Sequence, residues 1–382
     1  MEHSTVALVR CTTYDPADVY DALRRGVNLL GGPDRFVRPG ERILLKPNIL
    51  AAESPDRAVT THPAVLAGCI RLFRDQGAQV VFGDSPGLDS PSRAASRSGL
   101  REAGARSGAT FADFSASRSL ANVGAETLVS DFPVARAIHD CDGIINLPKM
   151  KTHQLTRITG AVKNLFGCIS GQRKALYHLQ FQDVTEFSRL VVELNLRLRA
   201  RLHVMDGIVA MEGNGPRSGD PTPVGVLLLS ADPVALDATF SQLVGLDPEF
   251  VPTTVVGQKM GLGRYQDQAI HYLGDPLDSM RRPSFKVIRK PVYSNASYAH
   301  YNIIKNAILP KPVIDAERCI KCGRCVEACP VPDKALRFEG GRRKPPVYHY
   351  NLCIRCYCCQ EMCPERAIDK RTPLLGRIFG FG

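Results

Sequence analysis

Four cysteines and a proline recur at one fixed offset, and no other feature constrains this chain as tightly. Cys319-x2-Cys322-x2-Cys325-x3-Cys329-Pro330 returns 34 residues later as Cys353-x2-Cys356-x2-Cys359-x3-Cys363-Pro364. The neighbours repeat too: Cys319-Ile-Lys-Cys322 matches Cys353-Ile-Arg-Cys356, and Ala335-Leu336 echoes Ala367-Ile368. Soft thiolates at this spacing wrap three corners of an iron–sulfur cube, while the fourth, before the proline, reaches the other cube. The expected ligands are therefore Cys319, Cys322, Cys325 and Cys363 for one 4Fe-4S cluster, and Cys353, Cys356, Cys359 and Cys329 for the second. In Cys356-Tyr357-Cys358-Cys359 the x3-Cys-Pro spacing selects Cys359 and leaves Cys358 as a small packed side chain. Zinc is the competing occupant of such a cysteine set.

These residues resemble the bacterial two-cluster ferredoxin domain over about 60 residues. The rest of the 382-residue chain is long enough for one large α/β body beside it. No apolar run reaches the roughly 18 residues of a membrane span, so a membrane is not an expected partner. The start, Met1 to Arg10, lacks a basic region followed by an apolar stretch, which points to the cytoplasm. There, thirteen cysteines suit metal binding better than a disulfide framework.

Charge is uneven. Residues 281–382 hold 20 Lys/Arg against 8 Asp/Glu, whereas residues 1–280 hold 29 against 30. Two oxidised clusters on eight thiolates would offset part of that excess by about −4. No aromatic-rich recognition motif accompanies it, so nucleic acid is not the expected partner. Long-range attraction suits an acidic electron donor such as a small ferredoxin or flavodoxin.

Strand-like and helix-like segments alternate to about residue 262. Val6–Val9, Ile43–Leu45, Val80–Phe82, Ile144–Leu147, Val204 and Val224–Leu229 read as strands. Asp15-Pro16 and His62-Pro63 open helices, and Val184, Phe187, Leu190, Val191, Leu194 and Leu198 mark one face of another. Such alternation predicts an α/β fold with a mostly parallel sheet covered by helices. The expected organisation is a body over 1–280, a basic connector over 281–312, the two-cluster domain over 313–372 and a tail over 373–382.

Within the body, Asn146-Leu-Pro-Lys149-Met-Lys151-Thr-His153 leads into Thr159-Gly160-Ala-Val-Lys163-Asn164-Leu-Phe-Gly167. Lys149, Lys151 and His153 share parity, so an extended backbone points all three to one side. A helix starting at Thr159-Gly160 would add free N–H groups, and the combination suits an anion. Lys46 and Asp84 each follow a predicted strand, as does Asp206, and ligands of open parallel sheets bind beyond strand C-termini. One pocket therefore collects Lys46, Asp84, Lys149, Lys151, His153, Lys163, Asn164 and Asp206. Glu212-Gly-Asn-Gly-Pro216 with Arg217 is expected as a flexible loop over it. Asp232-Pro233 reads as a helix cap, and Asp237 as a carboxylate buried against a lysine. Cys168 is a further candidate beside the Lys163–Gly167 run, whereas His178 and Arg173-Lys174 carry no assignable role.

Lys46-Pro47-Asn48, Gly83-Asp84-Ser85-Pro86-Gly87, Lys149-Met-Lys151-Thr-His153, Thr159 to Gly167, Asp206-Gly207, Glu212 to Pro216 and Asp232 to Asp237 together resemble the domain of unknown function 362 family, over roughly residues 5–265. The resemblance implies an iron–sulfur, oxidoreductase-like protein and supplies no substrate.

Neither G-x-G-x-x-G after a strand nor G-x-x-x-x-G-K-[ST] occurs, so nicotinamide and P-loop nucleotides lack motif support. The expected function is a reductase in which two 4Fe-4S clusters relay electrons to an anionic or carbonyl-bearing small molecule. Lys151, His153 and Asp84 are the expected catalytic residues, with Lys46, Lys149, Lys163, Asn164 and Asp206 binding the substrate. A flavin could mediate, although no motif asks for one. The alternative is a non-enzymatic electron-transfer or assembly protein whose body binds a partner.

Overall fold

A computed structural model describes residues 3–122, 124, 127–171, 173–292 and 302–380. Residues 293–301 of the expected connector lie outside the described residues. The body is built on ten strands: β1 (Ser4–Arg10), β2 (Arg42–Pro47), β3 (Gln79–Phe82), β4 (Thr110–Phe111), β7 (Gly143–Leu147), β8 (Lys149–His153), β9 (Arg157–Thr159), β10 (Leu202–Glu212), β11 (Asp220–Ser230) and β12 (Ile270–Gly274). A separate hairpin joins β5 (Ser117–Ala121) to β6 (Asp131–Ala135). The spatial order is β12-β1-β11-β10-β7-β2-β3-β4, with β8 beside β10 and β9 beside β8. The run β10-β7-β2-β3-β4 is wholly parallel, while β1, β10 and β11 meet antiparallel.

Strands buried on both faces read as continuous apolar runs, and that is how these segments pack. Ala7, Ile43, Leu45, Ile145, Leu227 and Leu229 face one hydrophobic layer, under the helices Pro16–Leu29 and Pro63–Arg74. Their neighbours Leu44 and Ile144 face a second layer against the helix Val184–Leu198, and Val6, Leu8, Val226 and Leu228 a third against Pro233–Leu243. The helices start where local chemistry stops the preceding segment. Asp15, Asp183 and Asp232 each accept two backbone N–H bonds as N-caps, and the His62 ring accepts one from Ala64. Pro16, Pro63 and Pro233 occupy first-turn positions, where no N–H is required.

The cysteine-rich region is slighter. Two ribbons, β13 (Lys311–Ile314) with β16 (Ile368–Arg371) and β14 (Leu336–Arg337) with β15 (Val347–Tyr348), frame two four-residue helices, Arg324–Glu327 and Cys358–Glu361. The sequence repeat is also a backbone repeat. Lys321 and Arg355 both take positive φ, 58° and 60°, and so do Gly323 and Tyr357 two residues on, at 84° and 63°. Three of these four carry side chains in a region that disfavours them, at a cost that persists only where surroundings impose it. Among the described residues, no helix is long and apolar enough to cross a membrane.

Candidate functional site

Two hollows in the small domain divide its cysteines as the spacing predicts. One is lined by Cys319, Cys322, Cys325 and Cys363, the other by Cys329, Cys353, Cys356 and Cys359. Apart from these thiols the walls are largely apolar, and all thirteen cysteines of the chain are free. The Ala367 N–H donates to Cys363 Sγ, and the Tyr348 hydroxyl lies 3.2 Å from Cys359 Sγ. Among the described residues no three metal-binding side chains converge on a single-ion centre. Thiols spread around a hollow fit a cube better than one ion. Cys358 is outside both hollows and packs with Ala328 and Met362.

A third cavity, about 500 Å³, opens between the body and the small domain. Its body side is the C-terminal edge of the parallel strands. Lys46, at the end of β2, is fully buried and pairs with Asp84 at 2.8 Å. Asp84 also accepts from the N–H groups of Ile49 and Ser85, so three donors engage it and its visible task is to fix Lys46. Lys151 donates to Asn48 Oδ1 and to the Val59 carbonyl. Burial, reinforced by Lys163, pushes the Lys151 ammonium well below its usual range. Asn48 in turn donates to Asn164, which donates to Asn146 and the Lys46 carbonyl, so an amide chain ties β2, β7 and the helix Ala161–Asn164 together.

Lys163 differs from these. It is half-buried, with Nζ 5.9 Å from the Phe166 ring centroid, and forms no ion pair or hydrogen bond among the described residues. The His153 Nδ1 accepts from the Leu155 and Thr156 N–H groups, which assigns the ring proton to Nε2. That nitrogen lies 3.0 Å from Glu361 Oε1 of the small domain, without the alignment of a hydrogen bond, so both atoms keep capacity for a ligand. Burial, with Lys163 beside it, lowers His153 to about 4. Burial alone would raise Glu361, but His153 and Lys163 outweigh it and hold the carboxyl at about 2.

The cavity also contains residues that sequence reasoning passed over. Lys174 donates to the Ser85 carbonyl and hydroxyl and to the Ile169 carbonyl, and burial lowers it to about 7. His178, one helical turn on, stacks on Phe187 and is lowered to about 3 by burial. Their i, i+4 spacing on Arg173–Gln180 was the available signal. From the small domain, Glu327, Ala328, Cys329, Cys358, Glu361 and Met362 complete the wall. Cys329 thus lines both this cavity and a cysteine hollow.

Several expected placements are corrected. Lys149 and Asp206 do not line the cavity; they form a buried pair at 2.7 Å, joined by the Tyr14 hydroxyl. The pairing of β8 with β10 shifts register between Lys149 and Lys151, and this break separates two lysines that simple alternation would align. The helix after Thr159-Gly160 is only Ala161–Asn164, and Asp237 takes its Ala161 and Val162 N–H groups. A Cβ on Gly160 would lie 2.0 Å from Asp237 Oδ1, so this close approach requires glycine. Asp237 meets backbone rather than a lysine, and burial raises it to about 7. The Glu212–Arg217 segment is a fastening, not a mobile cover. Asn214 donates to the Ile368 carbonyl, Gln360 donates to the Asn214 carbonyl, and Arg217 pairs with Glu53 at 2.6 Å while donating to the Met362 carbonyl. Cys168 is buried and does not line the cavity.

The model of domain of unknown function 362 matches residues 43–242, and that of a 4Fe-4S dicluster domain matches residues 311–371. A thylakoid-associated protein of Synechocystis sp. is 35% identical over 259 residues, covering 68% of this chain and 80% of the relative. Among solved structures, a structural-genomics protein from Thermotoga maritima aligns over 64% of this chain and 59% of its own, at 12% identity and TM-score 0.38. The lactate racemase apoprotein from Thermoanaerobacterium thermosaccharolyticum aligns over 64% and 57%, at 10% identity and TM-score 0.39. The chain spans less than two thirds of either structure, and likeness at that level says nothing of chemistry.

Proposed function

This chain belongs to the family of domain of unknown function 362, and from that premise we propose that it is an iron–sulfur oxidoreductase reducing an anionic or carbonyl-bearing small molecule held in the seam cavity. Cys319, Cys322, Cys325 and Cys363 hold one 4Fe-4S cluster, and Cys353, Cys356, Cys359 and Cys329 the other. Bound clusters supply electrons one at a time. The observation that carries the reading is the shared wall: Cys329 belongs both to a cysteine hollow and to the cavity into which Lys163 projects.

Within that cavity Lys163, unpaired by any carboxylate among the described residues, meets the substrate's negative oxygen. Lys46, fixed by Asp84, holds a second positive charge in place. Lys174, whose three ammonium hydrogens go to Ser85 and Ile169, holds that part of the cavity wall in place. The His153 Nε2–H and Glu361 orient the substrate from opposite domains. Leu50, Leu88, Phe166 and Met362 exclude water from the remaining wall. The proposal needs no flavin. The basic C-terminal region suits an acidic one-electron donor, with both proteins in the cytoplasm.

Anaerobic purification followed by mass spectrometry of co-purifying small molecules identifies the substrate class. With that molecule, Lys163→Ala and Lys163→Gln are expected to keep full iron content and lose turnover by at least about a hundredfold. Variants that retain turnover contradict the proposal, and variants that still pass electrons to a partner protein assign the chain to carriers instead.

A further inference from the structure

One end of the β13–β16 ribbon carries two helices whose apolar side chains point outward. In the described residues, β13 follows the helix Asn302–Ile308 and β16 precedes the helix Leu374–Ile378; the ribbon pairs Lys311 with Arg371 and Pro312 with Lys370. Antiparallel pairing therefore brings both helices to the same end of the ribbon, where they pack together. Their contact is made by backbone: a Cβ on Gly376 would stand 1.9 Å from the Ile308 carbonyl oxygen. Glycine turns inward, and the large side chains turn out. Ile303 is 88% exposed, Leu374 73%, Ile378 68% and Phe379 66%, with Ile304 and Leu375 about half-exposed.

A water-facing surface rarely gathers that many large apolar groups without a binding role. The charge around them selects the partner. No Asp or Glu occurs between Ser279 and Ile314 or from Lys370 to the C-terminus, whereas Lys311 and Arg371 pair at the ribbon end that carries both helices and the exposed Arg377 lies within the second helix. Helices displaying Leu, Ile and Phe, flanked in the chain by basic residues and no Asp or Glu, have the composition of an interfacial anchor, whose apolar side chains enter the acyl boundary while its cations meet anionic headgroups.

We propose that the paired helices Asn302–Ile308 and Leu374–Ile378 dock this protein on the surface of an anionic lipid bilayer. The absence of a spanning helix bears on crossing a membrane, not on lying against one. Docking at this end of the small domain is independent of the chemistry in the seam cavity.

Flotation of the full-length, iron-loaded chain with vesicles tests this. The protein should rise with vesicles of equal parts phosphatidylglycerol and phosphatidylcholine, and at least tenfold less of it with phosphatidylcholine alone or in high salt. Leu374→Ser with Phe379→Ser should reduce flotation at least tenfold at unchanged iron content. Ile303→Ser, on the other helix, guards against a local folding defect and should weaken it in the same direction. Failure to float with anionic vesicles, or flotation unaltered in both variants, overturns the proposal. Concentration-dependent self-association through these residues, without flotation, assigns the face to a second copy and overturns it equally.

Discussion

The body and the cysteine-rich domain reach their folds by different means. In the body, Leu44, Leu45, Ile145, Leu228 and Phe240 are fully buried in layers on both sides of a long sheet. Each such side chain contributes about 1.5–3 kcal/mol against exposure. The small domain packs only Leu336, Ala367, Ile368 and three cysteines into its main cluster, around two- to four-residue elements. A core that small cannot offset the ordering of some 60 residues, so metal–thiolate bonds must supply the difference. One region is therefore stable through its own burial, and the other is stable while loaded.

Stripping iron with a chelator under reducing, anaerobic conditions should break this contrast most sharply. Hydrogen exchange is expected to show peptides of 313–372 losing nearly all protection while those of 43–242 keep theirs. Protection surviving in both would remove the distinction. A narrower version tests the register: Cys359→Ala should lose about four of about eight irons, whereas Cys358→Ala should keep them all. The reverse iron counts would reassign the ligand.

The fastening between the regions can be weakened alone. Arg217→Ala leaves Glu53 and the Met362 carbonyl without their partner and should cost about 3 kcal/mol. The loss should appear as faster exchange at the seam, with both regions folded and iron retained; unchanged exchange there would place the docking energy elsewhere. A further effect, of acid, falls on the body. Burial lowers His203 from 6.5 to about 3 and His62 to about 4. The unfolded chain then binds more protons between those values and 6.5, so body stability should fall as pH drops through that window. A denaturation midpoint flat from pH 6.5 to 4 would show these imidazoles to be solvated.

What the sequence makes legible divides along the same line. Continuous apolar strands and Asp-Pro or His-Pro helix starts are local patterns, and Ser4–Arg10, Arg42–Pro47, Pro16–Leu29 and Val184–Leu198 follow them closely. The cysteine spacing is local as well, and each hollow contains its expected quartet. The cavity was only half legible. Lys46, Asp84, Lys151, His153, Lys163 and Asn164 meet there, because strand C-termini converge by topology. Lys149 left the group through a register break that no local pattern announces. Glu361 joined it through domain docking, and the seam role of Asn214 and Arg217 has the same origin. Gly215, which reads as part of a flexible loop in sequence, lies so close to β8 that a Cβ there would stand 2.3 Å from the Thr152 carbonyl oxygen.

The lysine-lined cavity adjoins the Cys329 quartet and not the Cys363 quartet, and a redox titration followed by electron paramagnetic resonance separates the two. Replacing Lys163 by glutamate puts negative charge beside the Cys329 quartet, which favours the more oxidised state of a neighbouring cluster. In Lys163→Glu, one of two reduction potentials should fall by tens of millivolts while the other stays at its wild-type value. Two unmoved potentials would contradict the account.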